Sequence, residues 1–127
     1  MILLVTPEVE FSKQMANWLE AKGYPVKLAF QGDKVLARVR QGNPELIVVN
    51  LYLRNPSGLE VLRQLRAEGY AGKIIVLASK STSTEIPQSL FFGVHHVLGL
   101  PMSLNLLISS VHLAIGPSAK HEGQVTR

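Results

Sequence analysis

Glu45-Leu46-Ile47-Val48-Val49-Asn50 runs without a break into Leu51-Tyr52-Leu53-Arg54-Asn55-Pro56-Ser57-Gly58 and then into Leu59-Glu60-Val61-Leu62. Leu46–Val49 is continuously apolar, as a strand covered on both faces must be. Leu59, Val61, Leu62 and Leu65 recur at helical spacing, and Gly69 is placed to close that helix with a C-terminal cap. The stretch therefore reads as a buried strand, a turn-rich loop and a helix.

The same unit recurs on either side. Ile2–Val5 and Ile74–Leu77 are further continuous apolar runs, and Val26–Phe30 and His95–Leu98 are weaker strand candidates. Phe11, Met15, Trp18 and Leu19 form a helical stripe ended by Gly23, with Phe11 and Trp18 read as core. Val35, Leu36 and Val39 form another, stopped by Gly42-Asn43-Pro44, with Asp33 placed to cap its start. A last helix is expected from about Ser103 to Ile115. Five βα units without repeats predict an α/β domain with a five-stranded, doubly wound parallel sheet over residues 1–115, and a polar tail or linker over 116–127. In such sheets ligands sit outside the carboxyl ends of the strands. The residues there are Thr6-Pro7-Glu8, Asn50, Ala78-Ser79-Lys80 and Gly99-Leu100-Pro101.

A chain of 127 residues fits one domain with a core of its own, and the absence of cysteine excludes disulfides and thiolate metal sites. Ile2-Leu3-Leu4-Val5 is too short for a signal-peptide core, and no run approaches the roughly 18 apolar residues of a membrane span. A cytoplasmic location is the expectation. The net charge is +4, but the cations are scattered among acids and no aromatics interleave with them, so a nucleic-acid partner is not expected.

Element order and spacing over residues 1 to about 115 resemble the receiver domains of response regulators, including the stretch quoted first and its glycine eight residues after Asn50. Gly23-Tyr24, Gly32 and Gly93…Pro101 fall in register with it. The resemblance implies the flavodoxin-like, or CheY-like, (βα)5 fold. It also implies a phospho-acceptor aspartate, an acidic pair for Mg²⁺, a hydroxyl and a lysine, because the metal must bridge phosphoryl oxygens. Asn50 stands at the acceptor position, Thr6 and Pro7 at the acidic pair with Glu8 one place further on, Ala78 at the hydroxyl and Leu100 at the lysine. Val97 occupies the position of the family's aromatic switch. Asp33 is the only aspartate in the chain, so no shift of alignment restores an aspartate pocket. The implied reading is a degenerate pseudo-receiver with no catalytic residues, no resident metal and no cofactor.

Glu8, Arg54 and Lys80 all fall on loops at the carboxyl edge. They are candidates for a Glu8–Arg54 or Glu8–Lys80 pair, or for an anion site on Arg54 and Lys80, against three solvated loop charges. His95-His96 has the look of a metal pair, but strand neighbours point to opposite faces. Pro87 predicts a short or irregular fourth helix starting at Pro87. The resemblance makes Leu100–Pro101 a candidate cis peptide.

Residues 81–119 contain one charged residue, Glu85, whereas residues 1–80 contain eighteen. Leu104, Leu107, Ile108, Val111 and Ile115 supply one face of the final helix, with Met102, Leu106 and Leu113 opposite. Together with Phe91 these last three predict an interaction face for a protein partner or second copy, where the resemblance places the helix 4, strand 5 and helix 5 surface. The expected function is phosphorylation-independent protein interaction in signal transduction, with an anion or small-molecule sensor as the alternative and a nucleic-acid binder as the remote one.

Overall fold

The computed structural model describes residues 1–117. Its elements are β1 (Ile2–Val5), α1 (Val9–Ala21), β2 (Val26–Ala29), α2 (Val35–Gly42), β3 (Leu46–Asn50), α3 (Gly58–Ala67), β4 (Lys73–Ala78), α4 (Ile86–Ser89), β5 (His96–Gly99) and α5 (Leu104–Ile115). The strands are all parallel and lie in the order β2-β1-β3-β4-β5. This is the expected doubly wound sheet. The remainder of the expected tail, 118–127, lies outside the described residues.

Two cores sandwich the sheet. On one face Ile2, Leu4, Leu46, Val48, Ile75 and Leu77 meet Met15 and Leu19 of α1 and Leu107 and Val111 of α5. On the other, Leu3, Val5, Ile47, Val49, Ile74 and Val76 meet Val35 of α2 and Val61, Leu62 and Leu65 of α3. Alternation along each central strand sends successive side chains to opposite cores, which is why these runs lack polar interruptions.

Helix ends follow from local chemistry. Ser57 and Ser103 cap α3 and α5, accepting from the amides of Glu60 and Leu106 at 3.2 and 3.1 Å. At the end of α3, Gly69 (φ +87°) donates to Arg66 O and Tyr70 N donates to Leu65 O, a paired closure that requires the left-handed conformation glycine supplies. Gly58 answers to a different constraint. A Cβ there would stand 2.6 Å from Leu51 Cα and 2.7 Å from Asn50 O, so α3 can start against β3 only without a side chain.

Three expectations need correction. Asp33 does not cap α2; it lies inside a 3₁₀ turn, Gly32–Lys34, and makes no capping bond. Trp18 is half-buried and stands outside the α1–α5 core, although Phe11 packs on it. The fourth helix is short and irregular as expected, but its regular turn begins at Ile86. It is flanked by 3₁₀ turns Lys80–Glu85 and Leu90–Phe92. Leu100–Pro101 is cis as expected, and Asn55–Pro56 is cis as well.

Candidate functional site

The chain leaves β1 for β2 on one side and later enters β3 on the other. The connections therefore diverge above β1 and β3, where an open α/β sheet forms its crevice. Parallel register pairs Val5 with Val49, which places Thr6 beside Asn50 at that point. Both side chains are buried.

Asn50 and Thr6 satisfy each other. Asn50 Nδ2 donates to Thr6 Oγ1 at 3.2 Å, and Asn50 Oδ1 accepts from Tyr52 N at 2.9 Å. The Tyr52 amide needs an acceptor, which fixes the orientation of the carboxamide. Thr6 Oγ1 also accepts from Glu8 N at 3.5 Å. Ala78, buried at the end of β4, contributes only a methyl group. Leu100, half-buried, packs toward the α1–α5 core, and Pro7 is half-buried beside Thr6. The oxygens lining this crevice are thus an amide and a hydroxyl already committed to neighbours, and the nearest carboxylate in sequence, Glu8, is exposed. Mg²⁺ takes hard oxygen ligands in near-octahedral geometry. This donor set does not fit it.

The candidate ion pairs across the crevice do not form, and Glu8, Arg54 and Lys80 are the exposed loop charges set against them. Among the described residues the ion pairs are Met1 amine–Glu45, Arg40–Glu68 and Arg63–Glu60, and Glu8 is in none of them. Arg54 folds back on its own loop, donating to Tyr52 O and Leu53 O at 3.0 and 3.1 Å with its guanidinium 4.3 Å from the Tyr52 ring centre. Those two carbonyls take the Nη1 hydrogens and hold the guanidinium over its own loop. Lys80 is exposed at the start of its 3₁₀ turn. Glu8, Arg54 and Lys80 are therefore not gathered into one site.

The sequence from 2 to 112 matches the response regulator receiver domain family. The chain belongs to it. The transcriptional regulatory protein DltR of Streptococcus agalactiae is 30% identical over 112 residues, covering 88% of this chain and 50% of DltR. Response regulator MprA of Mycobacterium sp. (strain KMS) is 28% identical over 122 residues, covering 96% of this chain and 53% of MprA. The chain thus spans about half the length of these relatives. The crystal structure of the receiver domain of NtrX from Brucella abortus superposes with a TM-score of 0.84 at 20% identity, covering 91% of this chain and 98% of that one.

In this receiver the four residues expected to form one face are distributed. Leu106 (46% exposed) and Leu113 (68% exposed) lie seven apart on the outward side of α5. Met102 is half-buried against the α1–α5 core, because it precedes the capping Ser103 and folds under the helix start. Phe91, 87% exposed, lines a groove with Leu59, Glu60 and Arg63 of α3. The irregular segment from 80 to 92 packs toward α3, so Ile86 and Phe92 join the second core. Val97 is half-buried on that same core.

His95 and His96 do not diverge as strand neighbours would. His95 precedes β5, and the two rings meet edge to face with centres 4.6 Å apart. Such burial as its ring has, then His96 and Lys73 nearby, hold His95 below the ordinary imidazole range. His96 Nδ1 is buried without a protein partner, and no group of three metal-binding side chains occurs among the described residues.

Arg66 gave no signal in the sequence beyond a charge on α3. Its guanidinium donates to Phe92 O (2.7 Å), Gly93 O (3.1 Å), Tyr70 O (2.6 Å) and Gly72 O (3.1 Å). It ties the turn before β5 to the end of α3 and the start of β4. No helix among the described residues is long and apolar enough to cross a membrane.

Proposed function

We propose that this domain is a pseudo-receiver: a non-catalytic protein-interaction module that works without aspartyl phosphorylation. The observation that carries the reading is the Asn50–Thr6 bond. The resemblance puts the phospho-acceptor and a metal ligand at these two positions, and here they are a carboxamide and a hydroxyl that close on each other. A carboxamide forms no acyl phosphate, and a crevice without an inward carboxylate offers no seat for the metal that phosphoryl transfer requires. The interaction half of the reading rests on the charge-poor stretch 81–119 and on the apolar side chains that α5 and the preceding turn leave in water.

The test is a pull-down with the protein as bait, with and without acetyl phosphate and Mg²⁺, compared with Leu106→Glu and Phe91→Glu baits. Capture that ignores the phosphoryl donor and falls with either substitution supports the reading. Capture that appears only with the donor rejects it. Relatives named as transcriptional regulators are about twice this length, so a longer protein containing this domain could act at DNA. Steeply salt-dependent retention on a DNA column would support that second reading for the chain itself.

A further inference from the structure

Among the described residues most arginines are engaged. Arg40 and Arg63 pair with Glu68 and Glu60, and Arg54 and Arg66 donate to backbone carbonyls. Arg38 is the one described arginine without a hydrogen bond or ion pair. It stands on α2 at a pocket of about 230 Å³ whose other walls are Lys27 of β2, Gln41, Gly42 and Met1. Alternation along β2 explains the meeting. Val26 and Leu28 pack on the α1–α5 core, so Lys27 between them is turned to the α2 face, as Ala29 is. Lys27 is in no ion pair among the described residues, and no carboxylate lines the pocket. Glu45 is held by the Met1 amine at 3.4 Å and lines a different groove. A lone exposed cation is a solvated charge. Two on separate elements across one concavity, with no acid between them, focus a positive potential into it. The guanidinium fork matches two oxygens of a tetrahedral oxyanion, the ammonium adds a point charge, and the Gln41 amide offers an uncharged donor. Two cations balance a dianion, which favours phosphate over a carboxylate.

We propose that Lys27, Arg38 and Gln41 form a binding site for a phosphate dianion, free or as the monoester of a small molecule. The site lies at the amino end of the sheet, where α2 ends and β1 and β2 begin, opposite the Asn50–Thr6 crevice. It stands independently of the phosphorylation-independent reading and of the interaction face.

Amide-detected NMR titration of the full chain tests it. Inorganic phosphate and glycerol 3-phosphate are added at about pH 8, where a phosphate monoester is a dianion. Ionic strength is held constant with sodium chloride, and acetate serves as the monoanion control. Either phosphate should move the amides of Lys27, Arg38, Gln41 and Gly42 saturably, and acetate should not. Arg38→Gln should raise the dissociation constant about tenfold or more, as loss of a charge-assisted contact does. Gln41→Glu, which keeps both cations and adds a carboxylate to the pocket, should do the same. Arg54→Gln, on the crevice loop, should leave the constant unchanged, and the dispersion of each spectrum shows whether the variant is folded. Tighter binding of glycerol 3-phosphate supports a monoester as the ligand, and tighter binding of inorganic phosphate supports the free ion. The absence of saturable shifts at these amides with both phosphates overturns the proposal. So does a response that acetate reproduces, or one that Arg38→Gln leaves intact.

Discussion

Thr6 and Asn50 sit where receivers are expected to do chemistry, and they bond to each other and to the amides of Glu8 and Tyr52. Beyond β4 and β5, Phe91 on the α3 side and Leu106 and Leu113 on the outward side of α5 are left in water by a chain segment that contains a single charge. The first region is complete in itself. The second is incomplete without something laid over it, because apolar area exposed there gains about 25 cal/mol per Å² when covered.

Breaking the closed region should cost the most. Asn50→Ala strands the Tyr52 amide and removes the donor to Thr6 in a buried setting, and a loss of about 1–3 kcal/mol is expected in urea unfolding. A loss within a few tenths would mean that the crevice is wet and not self-satisfied.

A smaller effect concerns pH, at the opposite end of the sheet. Burial pushes the Tyr70 hydroxyl up to about 12, with Arg66 opposing and Glu45 adding to the rise. This tyrosine donates to Pro44 O at 2.9 Å. The unfolded side chain loses its proton near 10 while the folded one still holds it. Stability should therefore decline as pH rises from about 10 through about 12, and be unaffected by this group below that window. Absorbance titration at alkaline pH should show a late-titrating tyrosine that Tyr70→Phe removes. The smallest effect belongs to the open flank: Leu113→Glu should change stability by no more than about 0.5 kcal/mol, since that side chain is solvated in the single domain. A larger loss would mean that α5 uses this face within its own chain.

The architecture was legible because buried parallel strands leave unbroken apolar runs, and Leu46–Val49 and Ile74–Leu77 are such runs. Thr6, Asn50, Ala78 and Leu100 could be placed from the resemblance, since each ends or follows a strand whose register is fixed by the sheet. What could not be read was the direction of side chains on irregular backbone. The 80–92 segment mixes 3₁₀ and α turns, so no single period predicts that Phe91 looks toward α3. Arg54 stays an exposed loop charge, with Nη1 donating to two carbonyls of its own loop and not reaching across the crevice. Arg66 shows the same preference at larger scale, and a helix-face cation gives no hint of four carbonyl partners.

The central claim is that the closed crevice takes up no phosphoryl group. Intact-mass spectrometry after incubation with acetyl phosphate and Mg²⁺ tests it most directly. The expected result is an unchanged mass at every donor concentration. A mass increase of one phosphoryl group, located by fragmentation at Asn50 or its neighbours, would contradict the account.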